Sequence, residues 1–325
     1  MRLSCLHRGS TNIFKFALCV VLGIFSAAIK TNGQQTSPRV PVPLVQEHKT
    51  MKISEHVYVI PDGRVNLVPN IGFIVGSRAT LVVDAGMGPK NGQTVLRELA
   101  GVNKNAKVYL TTTHFHPEHV TGAQAFPAST IIIRNEVQQD EVVKKQPERI
   151  ENFSRRSPEI KALLQDVKPR PPDLLFGDEL KIDLGGVTAR LFWRGAGHTK
   201  GDTYIFVEED GVLFTGDVIV NRFFPIMPDA ESSGKNWLVV LDQLEAIHPR
   251  IVVPGHGEVG DPSLFGKERD YLKTVQSRVA ELKKQGKSSE ETAKILAPEI
   301  RAKYPDWENP EWIPVAAQRF YAEGQ

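Results

Sequence analysis

Short runs of β-branched and aromatic residues alternate with segments of helical spacing along most of the chain. Glycine, proline or aspartate interrupts the apolar runs, as is typical of strands joined by tight connections. Val95, Leu96 and Leu99 share one face of a helix predicted at 93–102. The runs predict strands at 56–63, 70–77, 79–86, 107–114, 129–135, 178–183, 187–195, 202–210, 211–217 and 250–256. This alternation predicts an α/β fold.

The segment 135–170 differs from its surroundings because it is highly charged and is interrupted by Pro147 and Pro158. This pattern predicts helices that break at the prolines. Charge-rich helical segments are usually solvated, so a surface insertion is the favoured interpretation. The alternative is a cover over the functional site that helps to select the substrate.

The last part of the chain has mainly helical spacing. A helix is predicted near 236–247, and two amphipathic helices follow over 262–300, the second with Ser289 as its N-cap. We therefore expect the main domain to span 51–261 and a C-terminal helical extension, 262–325, to pack on it.

The N-terminus has the pattern of a secretory signal. Basic residues precede the apolar stretch 16–29, and small residues end it. We predict a signal peptide at 1–30 and a polar, proline-rich linker at 31–50, with an uncleaved anchor as the alternative. Cys5 and Cys19 are the two cysteines of the sequence. Cleavage would therefore leave an exported, periplasmic or secreted protein without thiolate ligands, whose membrane contact is through the signal peptide alone.

The charge balance excludes one class of partner. The 325 residues carry 40 basic and 38 acidic side chains, giving a net charge of +2, with no basic run suited to phosphates. We therefore expect a small-molecule substrate and no nucleic-acid partner. The sequence indicates no particular oligomeric state.

Metal-binding side chains recur after several of the predicted strands. Strand ends along one edge of an open α/β sheet converge on a common crevice. Nitrogen and oxygen donors without thiolate suit zinc, with manganese or iron possible. More donors are present than one tetrahedral ion uses, which favours two ions with Asp217 as the bridge. The candidates are His114, His116, Glu118 and His119 in "THFHPEHVTG", His198 in "GAGHTKGD", Asp217 in "FTGDV" and His256 in "VPGHGE".

Together, "HxHxEH", "GHT", "FTGD" and "PGHG" resemble the metallo-β-lactamase-fold superfamily, from about residue 53 to residue 260. The resemblance implies a four-layer αβ/βα sandwich. It also implies that one ion is held by His114, His116 and His198, and a second by position 118, His119 and His256. Asp217 would then bridge the ions, and Asp84 in "LVVDAG" would support the site from behind the ligands.

Position 118 departs from the family pattern, which usually has aspartate there. The extra methylene of Glu118 moves its carboxylate outward, so that it either ligates a shifted second ion or does not ligate at all. In both cases Glu118 could accept a proton from the attacking water, and we assign it a catalytic role together with Asp217 and Asp84. A single-metal enzyme with Glu118 as general base is the alternative.

These residues predict an exported hydrolase with two zinc ions, in which a metal-bound hydroxide attacks an ester, lactone, thioester or amide carbonyl. The alternatives are a β-lactamase, an oxidoreductase with a single iron such as a dioxygenase, and a non-catalytic metal-binding protein. Arg222 could bind a substrate carboxylate or pair with a nearby acid. Phe224 could line an apolar wall of the site or pack in the core.

Overall fold

Two β-sheets face each other across a shared hydrophobic layer, and helices cover the outer face of each sheet. The computed structural model describes residues 41–103 and 105–324. The predicted signal peptide, both cysteines and the first ten residues of the predicted linker lie outside the described residues. Residues from Pro41 onward form one unit.

The first sheet has seven strands in sequential order. Its first four strands pair antiparallel, and the strands from the fourth to the seventh pair parallel. The carboxyl ends of the fourth and fifth strands therefore meet at one edge. The strands are β1 Met51–Lys52, β2 Val57–Ile60, β3 Ile71–Val75, β4 Thr80–Val83, β5 Val108–Thr111, β6 Ile131–Asn135 and β7 Leu174–Phe176.

The second sheet has five strands in the order β12-β11-β10-β9-β8. All neighbours pair antiparallel except β11 and β12, which are parallel and so end at the same edge. The strands are β8 Glu179–Asp183, β9 Thr188–Trp193, β10 Thr203–Val207, β11 Val212–Gly216 and β12 Ile251–Pro254.

Eight α-helices lie within the described part of the chain, with short 3-10 turns at Thr121–Ala125 and Pro310–Trp312. Five of these helices precede β12 in the chain, and three follow it. The helices are α1 Gly88–Val102, α2 Pro117–Val120, α3 Glu136–Ser154, α4 Pro158–Leu164, α5 Gly234–Glu245, α6 Ser263–Lys284, α7 Ser289–Lys303 and α8 Ile313–Glu323.

Three hydrophobic layers hold the sandwich together. Val83 and Phe214 belong to the layer between the two sheets, and Phe73 and Val95 to the layer between the first sheet and α1. The third layer joins the second sheet to helices α5 to α8. The predicted α/β class and four-layer αβ/βα arrangement are therefore confirmed. Among the described residues, no helix is both long and apolar enough to cross a membrane.

Pro147 does not end a helix, contrary to the prediction that both prolines break the charged segment. Helix α3 runs through it from Glu136 to Ser154. A proline deprives the carbonyl four residues earlier of its partner, and here that residue is Val143, whose side chain is 66% exposed. Water can therefore satisfy the carbonyl, whereas Pro158 starts α4 as predicted.

The N-cap of α7 is Ser288, one residue before the predicted Ser289. The side chain of Ser288 accepts a hydrogen bond from the backbone N–H of Glu291, and the Glu291 side chain accepts one from the N–H of Ser288. This reciprocal capping box requires glutamate three residues after the cap. A cap at Ser289 would have placed Thr292 there instead.

Residues 41–50, predicted as part of the linker, lie against α1. The N–H of Val45 donates to the Asn91 side chain at 2.9 Å, and that side chain donates to the Pro43 carbonyl at 2.8 Å. Val45 is buried in the layer beneath α1. This part of the segment therefore belongs to the folded unit, because Val45 buries apolar surface and the backbone bonds Asn91.

Candidate metal centre

Three imidazoles from two distant parts of the chain converge at the edge of the sandwich. His114 follows β5, His116 is the N-cap of α2, and His198 follows β9. The Nδ1 atom of His116 lies 3.1 Å from Nε2 of His114 and 3.1 Å from Nε2 of His198. We call these residues the first donor set.

A second group of donors lies beside the first. Glu118 and His119 come from the single turn of α2, and His256 follows β12. One ligand atom of each lies within 4.8 Å of the others. We call these residues the second donor set, so the structure brings together all six imidazole and glutamate donors predicted from the sequence.

Asp217 lies between the two donor sets, directly after β11. Its Oδ2 atom is 3.6 Å from Nε2 of His198 and 3.9 Å from Nε2 of His114. Its Oδ1 atom is 3.5 Å from Nε2 of His119 and 3.6 Å from Nε2 of His256. Each carboxylate oxygen therefore faces a different set, which is the arrangement of a bridging carboxylate.

The outward nitrogen of each imidazole has its own partner. Nδ1 of His198 bonds the Ile226 carbonyl at 2.7 Å, and Nδ1 of His256 bonds the Val68 carbonyl at 2.9 Å. A carbonyl only accepts, so both Nδ1 atoms carry the proton and both Nε2 atoms keep a lone pair. The other outward pairs are His119 Nδ1 with Asp84 at 2.9 Å, His116 Nε2 with Asp229 at 3.3 Å and His114 Nδ1 with Thr113 at 3.2 Å.

Asp84 is positioned as the sequence predicts, behind a ligand and at the end of β4. Its carboxylate bonds His119 and also accepts from the backbone N–H of Thr113 at 2.7 Å and from the Thr113 hydroxyl at 3.0 Å. These bonds orient the His119 ring with Nε2 toward Asp217. Partners of this kind fix the orientation and tautomer of a ligating histidine.

The donors fit metal ions. Among the described residues, His119 Nε2, Asp217 Oδ1 and Glu118 Oε2 are buried without a hydrogen-bond partner. The lone pairs of His116 and His198 also face each other at 3.1 Å, which is repulsive without a cation between them. Tetrahedral Zn–N bonds of 2.0–2.1 Å would separate two ligand nitrogens by about 3.3 Å, close to that spacing. These clusters indicate a metal cofactor.

Burial and neighbouring charges set the protonation of the donors. Desolvation holds the pKa of His114 and His198 below the ordinary value and lowers that of His116 to about 3, so these rings are neutral. Burial acts to raise the pKa of Asp217, but the surrounding histidines lower it to about 2. The first donor set therefore offers lone pairs and the bridge offers a carboxylate at neutral pH.

His119 holds a proton when no metal is bound. Burial opposes it, but Asp84 and Asp217 raise the pKa of His119 to about 9. Because this value exceeds the ordinary 6.5, the ion pairs stabilise the metal-free fold fully below pH 6.5, and this stabilisation is lost as pH rises through 9. An ion needs the Nε2 lone pair, so affinity at the second donor set is expected to rise between pH 6.5 and 9.

Calorimetric titration of zinc into metal-free protein, in buffers of different ionisation enthalpy, measures how many protons are released when the metal binds. We expect about one proton to leave His119 below pH 9. The Asp84→Asn variant removes a charge that raises the His119 pKa, so it should release fewer protons when zinc binds. Equal release by the variant and the natural sequence at pH 8 would contradict the assignment.

Sequence reasoning missed Asp229, which lies 113 positions from the histidine it contacts. Its carboxylate bonds His116 Nε2 and the guanidinium of Arg149. Burial would raise the pKa of Asp229, but the hydrogen bond from His116 and the charge of Arg149 help to lower it to about 2. The loop also reaches His198, because Ser232 donates to the His198 carbonyl at 2.6 Å.

Replacing Asp229 with asparagine is expected to weaken zinc binding at the first donor set about 10- to 100-fold, because the His116 ring loses its anionic partner. Competition with a chromophoric chelator measures this affinity. Glu231→Gln, on the same loop but paired with Lys145 at the surface, is the matched control and should change little. A loss of similar size in both variants would indicate a general disturbance of the loop.

Two loop features explain the motifs around the donors. A Cβ at Gly255 of "PGHG" would collide with the Asp217 carboxylate, so only glycine permits this approach. Asp202 accepts from the N–H and hydroxyl of Thr199, with the N–H bond at 3.0 Å. These contacts hold the loop that carries His198.

A cavity opens directly above the donors and brings together segments from across the chain. Helix α3, part of the segment 135–170 for which the sequence favours a surface insertion, forms part of its wall. The Pro310–Trp312 turn of the C-terminal extension forms another part. The lining residues are Asn66, Leu67, His116, Glu118, Arg149, Phe153, Arg156, Asp217, Ile226, Pro228, Glu311 and Trp312.

The two residues predicted to bind substrate are placed differently. Arg222 is exposed, does not line this cavity and contributes to lowering the pKa of Glu258, so the structure does not bring it to the donors. Phe224 is fully buried, packs against Tyr271 and Trp307, and lies in the wall of a smaller adjoining cavity that also contacts His256. Phe224 is therefore mainly a core residue beneath the site.

Comparison with known proteins agrees with this geometry. The chain is 24% identical over 217 residues to the lactamase-like protein nscB of Trichophyton rubrum. The aligned region covers 66% of this chain and 57% of that relative. The chain thus spans less than two thirds of the relative's length.

Solved structures share the fold at low sequence identity. A metallo-β-lactamase from Pontibacter korlensis has a TM-score of 0.55 at 19% identity, covering 69% of this chain and 98% of that one. The inverting sec-alkylsulfatase Pisa1 from Pseudomonas sp. has a TM-score of 0.64 at 14% identity, covering 84% of this chain and 50% of that one.

The model of the metallo-beta-lactamase superfamily matches residues 64–256, which include both donor sets and Asp217. This match covers more than half of the 325 residues. The chain therefore belongs to the metallo-β-lactamase superfamily.

Proposed function

We propose that the protein is a hydrolase with two zinc ions that acts on an ester, lactone, thioester or amide carbonyl. The observation that carries the proposal is the position of Asp217, whose two carboxylate oxygens face the two donor sets at 3.5–3.9 Å. Bound zinc would supply Lewis-acid chemistry, lowering the pKa of a water and polarising the carbonyl.

The cavity lining supports water as the attacking group. Among the described lining residues there is no serine, threonine, cysteine or lysine that could form a covalent intermediate. Of the other side chains that could form one, His116, Glu118 and Asp217 belong to the candidate metal centre, which supports water as the nucleophile.

Glu118 is the chain's own candidate for moving a proton. Its carboxylate lines the cavity beside Asp217, and its Oε2 atom has no hydrogen-bond partner among the described residues. Burial raises the pKa of Glu118, which brings the carboxyl closer to the range in which it can both accept and return a proton. We propose that it accepts a proton from the attacking water and holds the second ion.

The signal-peptide pattern of residues 1–30 supports, as part of the same proposal, an exported enzyme. The proposal for a carbonyl substrate depends on the cavity that opens above the donor sets and on the position of Asp217 between them.

A hydrolysis panel on zinc-loaded protein tests the proposal. The panel contains an aryl ester, a lactone, a thioester and a β-lactam, with a secondary alkyl sulfate added because one solved neighbour is named as a sulfatase. We expect turnover of at least one carbonyl substrate, loss with a chelator, and about two zinc ions per chain. One iron per chain with oxygen consumption, or turnover of the sulfate alone, would contradict it.

A further inference from the structure

Two arginines line the cavity above the donors, and only one of them is already paired. The guanidinium of Arg149 bonds the Asp229 carboxylate, and Asp229 in turn bonds His116. The guanidinium of Arg156 has no hydrogen bond or ion pair to any described residue. Arg149 therefore supports the first donor set, whereas the N–H groups of Arg156 remain available to bind a ligand.

The Arg156 side chain is held in place by an aromatic ring. Its Cζ atom lies 3.9 Å from the centroid of the Phe153 ring, one turn earlier in the chain, and both residues line the cavity. Stacking uses the face of the guanidinium and leaves its N–H edge free for a planar anion. The ring thus orients the Arg156 guanidinium at the rim of the cavity without pairing its charge with an anion.

Arg156 is exposed at the rim of the cavity, but its charge still interacts with the candidate metal centre. Desolvation lowers the pKa of Arg156, and the Glu118 carboxylate partly offsets this effect. A guanidinium remains charged at neutral pH after such a change. The remaining cavity wall includes the apolar side chains of Leu67, Ile226 and Trp312. An apolar molecule with one anionic group would match this lining.

We propose that Arg156 binds a carboxylate of the substrate, so that the enzyme selects carbonyl substrates carrying an anionic group over their neutral analogues. The inference rests on the proposed hydrolytic function. It assigns the role that the sequence suggested for Arg222 to Arg156, in the charged segment 135–170 just after α3.

The chain offers a matched control one position away. Arg155 pairs with Glu151, four residues earlier on α3, and both side chains are exposed. It does not line the cavity. Arg155→Ala therefore removes the same type of side chain from the same helix end without touching the proposed anion contact.

Binding is tested first with 3-mercaptopropionate and its amide, which share a metal-binding thiol and differ in charge. On zinc-loaded protein, we expect the natural sequence and Arg155→Ala to bind the acid about 10- to 100-fold more tightly than the amide. In Arg156→Ala this ratio should fall close to one. Arg156→Lys should keep part of the preference, because the ammonium retains charge but loses the planar fork.

Hydrolysis is tested with an aryl ester bearing a free carboxylate and the same ester with that carboxylate methylated. Arg156→Ala should lose about 10- to 100-fold more kcat/KM on the acid than on the methyl ester, mainly through KM. An acid preference that survives Arg156→Ala, or none in the natural sequence, would overturn the inference alone. Binding discrimination through Arg156 without hydrolysis of any substrate would instead contradict the proposed function.

Discussion

Asp217→Asn is expected to abolish most hydrolysis and to lower zinc content from about two ions to about one per chain. Asparagine keeps the size of the side chain but removes the charge and one oxygen acceptor, and the two oxygens of Asp217 face different donor sets. We expect kcat/KM to fall at least about a thousandfold, equivalent to ~4 kcal/mol of transition-state stabilisation. Elemental analysis and the hydrolysis assay measure the two effects together.

Asp242→Asn provides the control for this experiment. Asp242 lies on α5 with an exposed side chain and pairs with Arg269 at the surface. Its replacement should leave metal content and kcat/KM nearly unchanged. Retention of two zinc ions and more than a tenth of the activity in Asp217→Asn would show that the carboxylate does not bridge.

Trp237→Ala is expected to cost about 3–5 kcal/mol of unfolding free energy, which makes it the largest stability effect we predict. Trp237 is fully buried between the second sheet and its helices. Its indole N–H donates to the Val218 carbonyl at 2.8 Å, one residue after Asp217. The variant leaves a large cavity and an unpaired buried carbonyl beside the metal centre. Denaturant unfolding measures the loss.

Two variants separate the contributions of packing and of the hydrogen bond. Trp237→Phe keeps much of the ring but loses the N–H, so about 1–3 kcal/mol should be lost. Val239→Ala, on the same helix and 49% exposed, should change stability by less than about 0.5 kcal/mol. A loss in Trp237→Ala no greater than in Val239→Ala would contradict the packing of α5 against the sheet.

The fold was predictable because apolar runs and helical spacing alternate along the chain. Strands β4 and β5 pair parallel, as do β11 and β12, so residues directly after them meet at one edge. Thus Asp84, the His114 corner, Asp217 and His256 converge although they are far apart in the sequence. The residue type and the strand-end position were sufficient for this part of the site.

The residues that surround the donors were not predictable in the same way. Asp229 and Arg156 follow no strand and belong to no motif, and their roles depend on how the 226–232 loop and α3 pack over the site. Arg222 adjoins a motif but turns away, with a positive φ of 64° and an exposed side chain. Tertiary packing, rather than local pattern, determines which cations line the cavity.

Local contacts also explain the two points at which the helices differ from the sequence prediction. Pro147 stays inside α3 because the carbonyl it would leave without a partner belongs to the exposed residue Val143, where water can reach it. Ser288 caps α7 because Glu291 stands three residues later. The capping box of Ser288 and Glu291 can be recognised in the sequence. The tolerance of Pro147 can be predicted only once the exposed face of α3 is known.

An anomalous difference map at the zinc edge, from crystals of the zinc-loaded protein, examines both donor sets at once. Two peaks are expected, one among His114, His116 and His198 and the other beside His119 and His256, with the Asp217 carboxylate between them. A single peak away from Asp217, or none at these imidazoles, would mean that the converging side chains are not a dinuclear metal centre.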